Sequence, residues 1–216
     1  MARVCAARGG AEEIEDYRRA TCGRAEYPGS PLLAAALLRA QDRAVCLEVQ
    51  APEQRALQRA LQAAGAAHVR AECADGWERW SAHLPPPERR ALVLIDPPYE
   101  DHAIDLGRVL DTATAMLQRL ASAVICCWYP IKRAADLEPW KQRARALFTR
   151  PVLCTELWVH RTDTRVALNG SGLLLVNPPY QFDARARLWL PELAQLLAPA
   201  GEPGYAAGHR LDWLVT

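Results

Sequence analysis

The residues best suited to chemistry are Asp96-Pro97-Pro98-Tyr99, which directly follow an apolar run, Ala91–Ile95. An exocyclic amino group on a base is a poor nucleophile because its lone pair is delocalised into the ring. Two acceptors that form hydrogen bonds with its two protons expose that lone pair. The Asp96 carboxylate and the Pro97 carbonyl could be those acceptors. The prolines restrict the backbone so that the carbonyl points inward, and Tyr99 offers a ring on which an extruded base can stack. We predict that Asp96 is catalytic and that Pro97, Pro98 and Tyr99 contact the substrate.

Three acidic residues fall at or just after the ends of successive predicted strands: Glu48, Asp75 and Asp96. Ligands of a parallel sheet bind outside the carboxyl ends of its strands. We therefore expect Glu48 to bind the ribose hydroxyls of a nucleoside cofactor and Asp75-Gly76 to lie at its adenine. The plainer interpretation of Asp75-Gly76 is a turn, and that of Glu48 is a solvated strand end.

A second tetrapeptide, Asn177-Pro178-Pro179-Tyr180, resembles the first and also follows an apolar run. It comes after two predicted strands joined by a polar turn, so its strand should be antiparallel to its neighbours. Its end would then lie at the opposite edge of the sheet. We predict that Asn177 is structural.

The elements that must position these residues alternate along the chain. The predicted strands are Ala44–Val49, His68–Cys73, Ala91–Ile95, Ala123–Tyr129, Val152–Val159, Gly172–Val176 and Leu211–Val215. Helical patterns of 10–17 residues separate most of them, which indicates an α/β fold with a Rossmann-like, mostly parallel sheet, helices on both faces and one antiparallel strand near the edge. We predict an irregular segment over residues 1–26, within which a short helix around Glu12–Ala20 could form, and a single domain over residues 27–216.

The composition excludes several classes of protein. Because the net charge is +1, a nucleic-acid partner must be bound by a local patch. The seven cysteines contain no C-x-x-C pair, which disfavours a zinc site and, with their apolar settings, indicates a reducing compartment. No apolar run approaches the ~20 residues of a membrane span. We expect a cytoplasmic monomer that contains no metal.

The densest basic stretch follows the predicted fourth strand, and we expect RNA to dock there. Two aromatic residues, Trp128 and Tyr129, end that strand and could flank an extruded base. Within residues 132–150 the basic residues outnumber the acidic ones, Asp136 and Glu138, and a solvated helix face is the plainer interpretation. The basic residues are Lys132, Arg133, Lys141, Arg143, Arg145 and Arg150.

A longer series of motifs is similar to one family. The series consists of Tyr27-Pro28-Gly29-Ser30-Pro31, Glu48, Ala74-Asp75-Gly76, Leu94-Ile95-Asp96-Pro97-Pro98-Tyr99-Glu100, Trp128-Tyr129-Pro130, Gly170-Ser171-Gly172 and Asn177-Pro178-Pro179. In order and approximate spacing it resembles the bacterial RlmJ-type methyltransferases, which modify N6 of one adenine in 23S ribosomal RNA. The resemblance covers about residues 15–216. It implies a class I methyltransferase sheet, S-adenosylmethionine as cofactor and 23S rRNA as partner. It further implies cofactor contacts at Ser30, Glu48, Asp75, Gly76 and Asp96, with Asp96 catalytic.

One part of the family pattern has no counterpart in this sequence. Family members carry a longer N-terminal segment with a glycine-rich loop after the first strand, and here only Arg8-Gly9-Gly10 is similar to it. We therefore expect the first strand and the cofactor loop to be missing. Three alternatives stay open: a DNA amino-methyltransferase, a protein for the use of external DNA, and an inactive nucleic-acid-binding remnant.

Overall fold

The computed structural model describes residues 2–24, 26–161, 168–198 and 205–216. They form two compact units. One contains Glu12–Leu84, and the other contains Met1–Ala11 with Pro85–Thr216. This division does not coincide with the predicted boundary after residue 26. A single domain over residues 27–216 therefore stays a prediction.

The unit Glu12–Leu84 contains two parallel strands and their helices. The elements are α2 (Glu12–Thr21), α3 (Gly29–Leu37), β1 (Ala44–Glu48), α4 (Ala51–Ala63), β2 (Val69–Cys73), α5 (Gly76–Arg79) and a short 3-10 helix (Trp80–Ala82). Strands β1 and β2 pair in parallel, with Glu48 opposite Cys73. Leu61, Val69 and Ala71 form the centre of its core. The two strand ends that carry Glu48 and Asp75 therefore lie side by side, as predicted.

Two glutamines of α4 satisfy the backbone of Ala71 on the outer edge of β2. Gln54 Nε2 donates to the Ala71 carbonyl at 2.7 Å, and the Ala71 N–H donates to Gln58 Oε1 at 3.1 Å. These side chains replace a neighbouring strand at this position, because buried backbone groups need partners. The helix α4 is thereby fixed to the strand edge by polar contacts as well as by its apolar face.

The unit Met1–Ala11 with Pro85–Thr216 contains the larger sheet. Its elements are α1 (Ala2–Ala6), β3 (Leu92–Ile95), α6 (His102–Arg119), β4 (Val124–Ile131), α7 (Ala134–Leu147), β5 (Val152–His160), β6 (Gly170–Val176), α8 (Phe182–Leu197) and β7 (Tyr205–Val215). The strand order is β3-β4-β6-β5-β7. Two contacts tie the N-terminal residues to α8: an Arg3 guanidinium nitrogen donates to the Leu197 carbonyl, and the Ala11 N–H donates to Glu192 Oε2.

The α/β class and the mixed sheet with helices on both faces are confirmed. Strands β3 and β4 are parallel, and β6 is antiparallel to both β4 and β5. The antiparallel strand therefore lies inside the sheet rather than near its edge. A second antiparallel strand, β7, forms the edge beside β5. It is longer than predicted, because its first half pairs with β5 without an apolar pattern of its own, and Gly208 lies close to the Trp158 ring there.

The N-terminal segment, expected to be irregular apart from a short helix around Glu12–Ala20, contains α1 as well as α2. The acidic cluster at the start of α2 stabilises that helix through its dipole. Helix α3 begins at Gly29, and no side chain caps it. Within the described residues, no helix is both long enough and apolar enough to span a membrane.

Candidate functional site

The turn after β3 presents two acceptors. Asp96 and Pro97 follow Ile95, which pairs with Cys127 of β4. Among the residues that the structure describes, no hydrogen bond reaches the Asp96 carboxylate or the Pro97 carbonyl. Asp96 keeps an exposed surface, yet the partial burial of its carboxyl raises its pKa. Both acceptors are therefore available to an amino group.

Tyr99 closes this turn in a way that the sequence did not indicate. Its φ is 55°, a left-handed conformation that is costly for a bulky residue. Only 6% of the residue is exposed, and its hydroxyl donates to the Trp128 carbonyl. Its ring lies 5.7 Å from that of Trp128 and is tilted by 53°. A base cannot stack on the buried ring without a movement of Tyr99, so its role as a platform stays a prediction.

The two aromatic residues of β4 lie on opposite faces of the sheet. Trp128 is half-buried beside Tyr99, whereas Tyr129 is completely buried. The Tyr129 hydroxyl donates to Glu156 Oε1 at 2.9 Å, and its ring packs against Trp140. Successive side chains of a strand alternate between faces. The prediction that Tyr129 flanks an extruded base is therefore wrong, while that for Trp128 stays a prediction.

His102 is a neighbour of the turn that sequence reasoning missed. Its ring centroid lies 6.0 Å from that of Tyr99, at the start of α6. Its burial and the positive charge of Lys132 lower its pKa, so the imidazole is neutral at neutral pH. The only available signal was its position three residues after Tyr99, in the first turn of a helix.

In the other unit, Glu48 and Asp75 lie at the same edge of the parallel pair β1 and β2. One carboxylate oxygen of each is occupied: Glu48 Oε1 accepts from the Gln50 N–H, and Asp75 Oδ1 accepts from the Trp77 N–H, both at 2.8 Å. Asp75 thus caps α5, which agrees with the plainer turn interpretation. Among the described residues, no hydrogen bond occupies the second oxygen of either carboxylate. These oxygens could accept from the hydroxyl and amino donors of a nucleoside.

Gly76 and Ser30, the other predicted cofactor contacts in this unit, are both exposed. A Cβ on Gly76 would meet only the Cβ of Leu47, at 3.8 Å, so the packing does not require a glycine there. The Ser30 side chain caps no helix end. Neither residue has an evident structural task, and their binding roles stay predictions.

Three of the six basic residues in the stretch around α7 are paired with carboxylates of the chain. Lys141 is buried, and its Nζ lies 2.6 Å from Glu156 Oε1. Arg143 pairs with Asp111 at 2.6 Å, and Arg133 pairs with Asp136 at 2.9 Å. Lys141 therefore cannot contact an RNA phosphate, because its ammonium group is buried and paired with Glu156. No group of residues in the described ranges has the composition of a metal site.

The second proline motif has the structural role that was predicted for it. Strand β6 is antiparallel, so Asn177 lies beside the start of β4 rather than its end. Asn177 Nδ2 donates to the carbonyls of Ala121 and Ala123 at 3.0 and 2.8 Å, and its N–H donates to the Pro151 carbonyl at 3.0 Å. Asn177 thus joins the segments that lead into β4 and β5.

Comparison with known proteins identifies the family. A family model described as "Ribosomal RNA large subunit methyltransferase D, RlmJ" matches residues 12–215. The chain belongs to this family. Ribosomal RNA large subunit methyltransferase J of Escherichia coli is 34% identical over 190 residues, which cover 88% of this chain and 65% of that protein. The protein of the same name from Haemophilus influenzae is 34% identical over 188 residues, covering 87% and 64%.

The chain therefore spans just under two thirds of the length of these curated relatives. A crystal structure of protein LPL1258 from Legionella pneumophila is similar with a TM-score of 0.82 and 24% identity. The match covers 98% of this chain and 78% of that one. This likeness concerns the fold.

Proposed function

We propose that this protein transfers a methyl group from S-adenosylmethionine to the N6 amino group of an adenine in 23S rRNA. The observation that carries the proposal is the turn after β3, where the Asp96 carboxylate and the Pro97 carbonyl have no hydrogen-bond partner among the described residues. Membership of the RlmJ family supports the reaction and the substrate class.

The two acceptors of this turn act on the amino group. The Asp96 carboxylate and the Pro97 carbonyl each accept a hydrogen bond from one of the two N6 hydrogens, which draws the nitrogen toward tetrahedral geometry and frees its lone pair. S-adenosylmethionine, when bound, would supply the electrophilic methyl group. The amino nitrogen would release one proton on gaining that methyl group, and the Asp96 carboxylate, already hydrogen-bonded to it, would accept the proton. The raised pKa of Asp96 makes it a better proton acceptor than an ordinary aspartate.

Ser30, Glu48, Asp75, Gly76 and Asp96 are the residues proposed to contact the cofactor. Glu48 and Asp75 each retain a carboxylate oxygen for its hydroxyl or amino donors. Pro97, Pro98 and Trp128 are proposed to contact the base, and Tyr99 would join them only after leaving its buried position. We propose that the protein acts as a monomer in the cytoplasm, as the sequence predicted.

The test is to incubate the purified chain with S-adenosylmethionine labelled in its methyl group and unmodified 23S rRNA. We expect label in N6-methyladenosine after digestion of the RNA to nucleosides. DNA of the same sequence should stay unlabelled, which separates this function from that of a DNA amino-methyltransferase. Label in neither nucleic acid, together with no calorimetric binding of S-adenosylmethionine, would favour the inactive remnant.

A further inference from the structure

The motif after β6 leaves one large aromatic side chain in solvent. Tyr180 is 90% exposed, although the backbone around it is firmly held. Asn177 anchors the start of the motif to the segments before β4 and β5, and the Phe182 N–H donates to the Pro179 carbonyl at 3.0 Å. A rigidly presented, exposed tyrosine contributes little to folding. Such residues are typical of contact surfaces.

Exposed arginines from four segments lie at the edge of the sheet where β6 ends. This edge is formed by the amino ends of β3, β4 and β5 and by the carboxyl end of β6. The hydrogen bonds from the Val124 N–H to the Ala91 carbonyl, and from Ser122 Oγ to the Arg89 carbonyl, hold two of these segments together. We call this surface the arginine rim. Its members are Tyr180, Arg89, Arg90, Arg119, Arg150, Arg185 and Arg187, all of them exposed.

The arginine rim carries an excess of positive charge. The acidic residues in the same segments are Glu88 and Asp183, and Asp183 Oδ2 accepts from Trp213 Nε1 at 3.3 Å. Within the described part of the chain, no ion pair engages Arg90, Arg150 or Arg187. This distinguishes the rim from the helix α7, where Lys141 and two arginines are paired with carboxylates.

These two chemistries together fit one kind of ligand. Guanidinium groups match phosphate oxygens through paired hydrogen bonds, and an exposed aromatic ring stacks on an unpaired base. We propose that the arginine rim is a second RNA-contact surface, on which Tyr180 stacks an unpaired base and the arginines bind the adjoining phosphates. The proposal rests on the proposed function, because it states where the substrate RNA makes a further contact.

The rim lies at the far end of β4 from the candidate catalytic turn. Ala123 directly precedes β4 at the rim, and Trp128 lies beside Tyr99 at the catalytic turn. These two residues are five positions apart, which is roughly 16 Å at the usual rise per residue of a strand. Contacts at both edges would require a folded RNA rather than a few nucleotides. A short single strand that reaches only the catalytic turn would not use the rim.

The first test removes the stacking surface. Tyr180→Ala and Tyr180→Phe are compared with the wild type for binding to fluorescent transcripts of 23S rRNA fragments. We expect Tyr180→Ala to bind about tenfold more weakly, which lies within the range for the loss of one stacked base. Tyr180→Phe retains the ring and should bind within about twofold of the wild type. Thermal melting of both variants checks that the fold is unchanged.

The second test removes positive charge. Arg150→Glu combined with Arg187→Glu should weaken binding and flatten the dependence of log affinity on log salt by about 0.7–0.9 for each phosphate that the variant no longer binds. Arg55→Glu combined with Arg59→Glu, two exposed residues of α4, changes the net charge by the same amount and should keep the wild-type slope. Affinity for S-adenosylmethionine should be unchanged in every variant.

The outcomes separate this inference from the proposed function. Wild-type affinity and slope in the rim variants would overturn the inference, even if the protein methylates 23S rRNA. Weaker RNA binding by the arginine variants, with no effect of Tyr180→Ala, would also overturn the inference. The rim would then bind anions in general and stack no base. Loss of RNA binding in the rim variants of a protein that transfers no methyl group would support the rim and refute the proposed function.

Discussion

The two proline motifs of this chain have nearly the same sequence and opposite environments. In the first, the polar residue Asp96 is without a partner among the described residues, and Tyr99 is buried against Trp128. In the second, the polar residue Asn177 bonds two carbonyls, and Tyr180 is 90% exposed. The difference follows from strand direction, because β6 runs opposite to β3 and its end meets the starts of β4 and β5.

The role of each motif therefore depends on the backbone groups that lie beside the end of its strand. Asn177 lies beside carbonyls of segments that precede a strand, and these carbonyls need hydrogen-bond donors. An amide side chain can donate to them, whereas a carboxylate cannot. Asp96 leaves the sheet beside the middle of β4, where the Trp128 carbonyl already accepts a hydrogen bond from the Tyr99 hydroxyl. An acceptor at that position is therefore available for a ligand.

The largest expected effect on stability comes from Asn177→Ala. It removes two hydrogen bonds and places alanine at a φ of 54°. Together these changes should cost about 2–3 kcal/mol of unfolding free energy. Chemical denaturation measures the loss. Asn177→Gly accepts the backbone conformation and should lose less than the alanine variant. Equal stability of Asn177→Ala and the wild type would contradict the anchoring role.

The second prediction compares the two tyrosine hydroxyls. Tyr99→Phe removes the bond to the Trp128 carbonyl and should lower the unfolding free energy by about 1 kcal/mol. Tyr180→Phe removes a hydroxyl from an exposed residue and should leave stability unchanged within about 0.3 kcal/mol. The pair is measured in the same denaturant series. A greater loss for Tyr180→Phe would reverse our assignment of the buried and the exposed tyrosine.

The smallest expected effect concerns the charge of Asp96. Burial raises the pKa of its carboxyl, so the ionised form is less favourable in the folded state than in the unfolded chain. The resulting destabilisation is present at neutral pH and disappears as the pH falls through the raised pKa toward the ordinary value. Asp96→Asn should therefore melt at a slightly higher temperature than the wild type at neutral pH. The difference should shrink on acidification, and a lower melting temperature at neutral pH would contradict the cause that we give.

Much of the fold could be predicted from the sequence because apolar runs and breakers mark its strands. The turn after β3 and the antiparallel direction of β6 both followed from local patterns, Pro97-Pro98 and the strand pair without a helix. Strand β7 was predicted too short, since its first half has no apolar alternation and its length depends on its pairing with β5.

Side-chain environments were harder to predict than elements. Tyr129 follows Trp128 directly, and the alternation of a strand alone places the two on opposite faces, so that error was avoidable. The burial of Lys141 could not be inferred, because its partner Glu156 belongs to the next strand along the chain. The buried position of Tyr99 likewise depends on a backbone carbonyl of β4, which no sequence pattern identifies.

The central claim is that the motif after β3, and not the motif after β6, carries the chemistry. The most direct test compares methyl transfer to 23S rRNA by Asp96→Ala and by Asn177→Ala. Both are measured in the same reaction series, well below both melting temperatures. We expect Asp96→Ala to lose at least about a hundredfold in rate, in the range for loss of a group that stabilises the transition state. Its melting temperature should be no lower than that of the wild type. Asn177→Ala should keep its rate while melting earlier. Undiminished transfer by Asp96→Ala, or a comparable loss in a fully folded Asn177→Ala, would contradict the account.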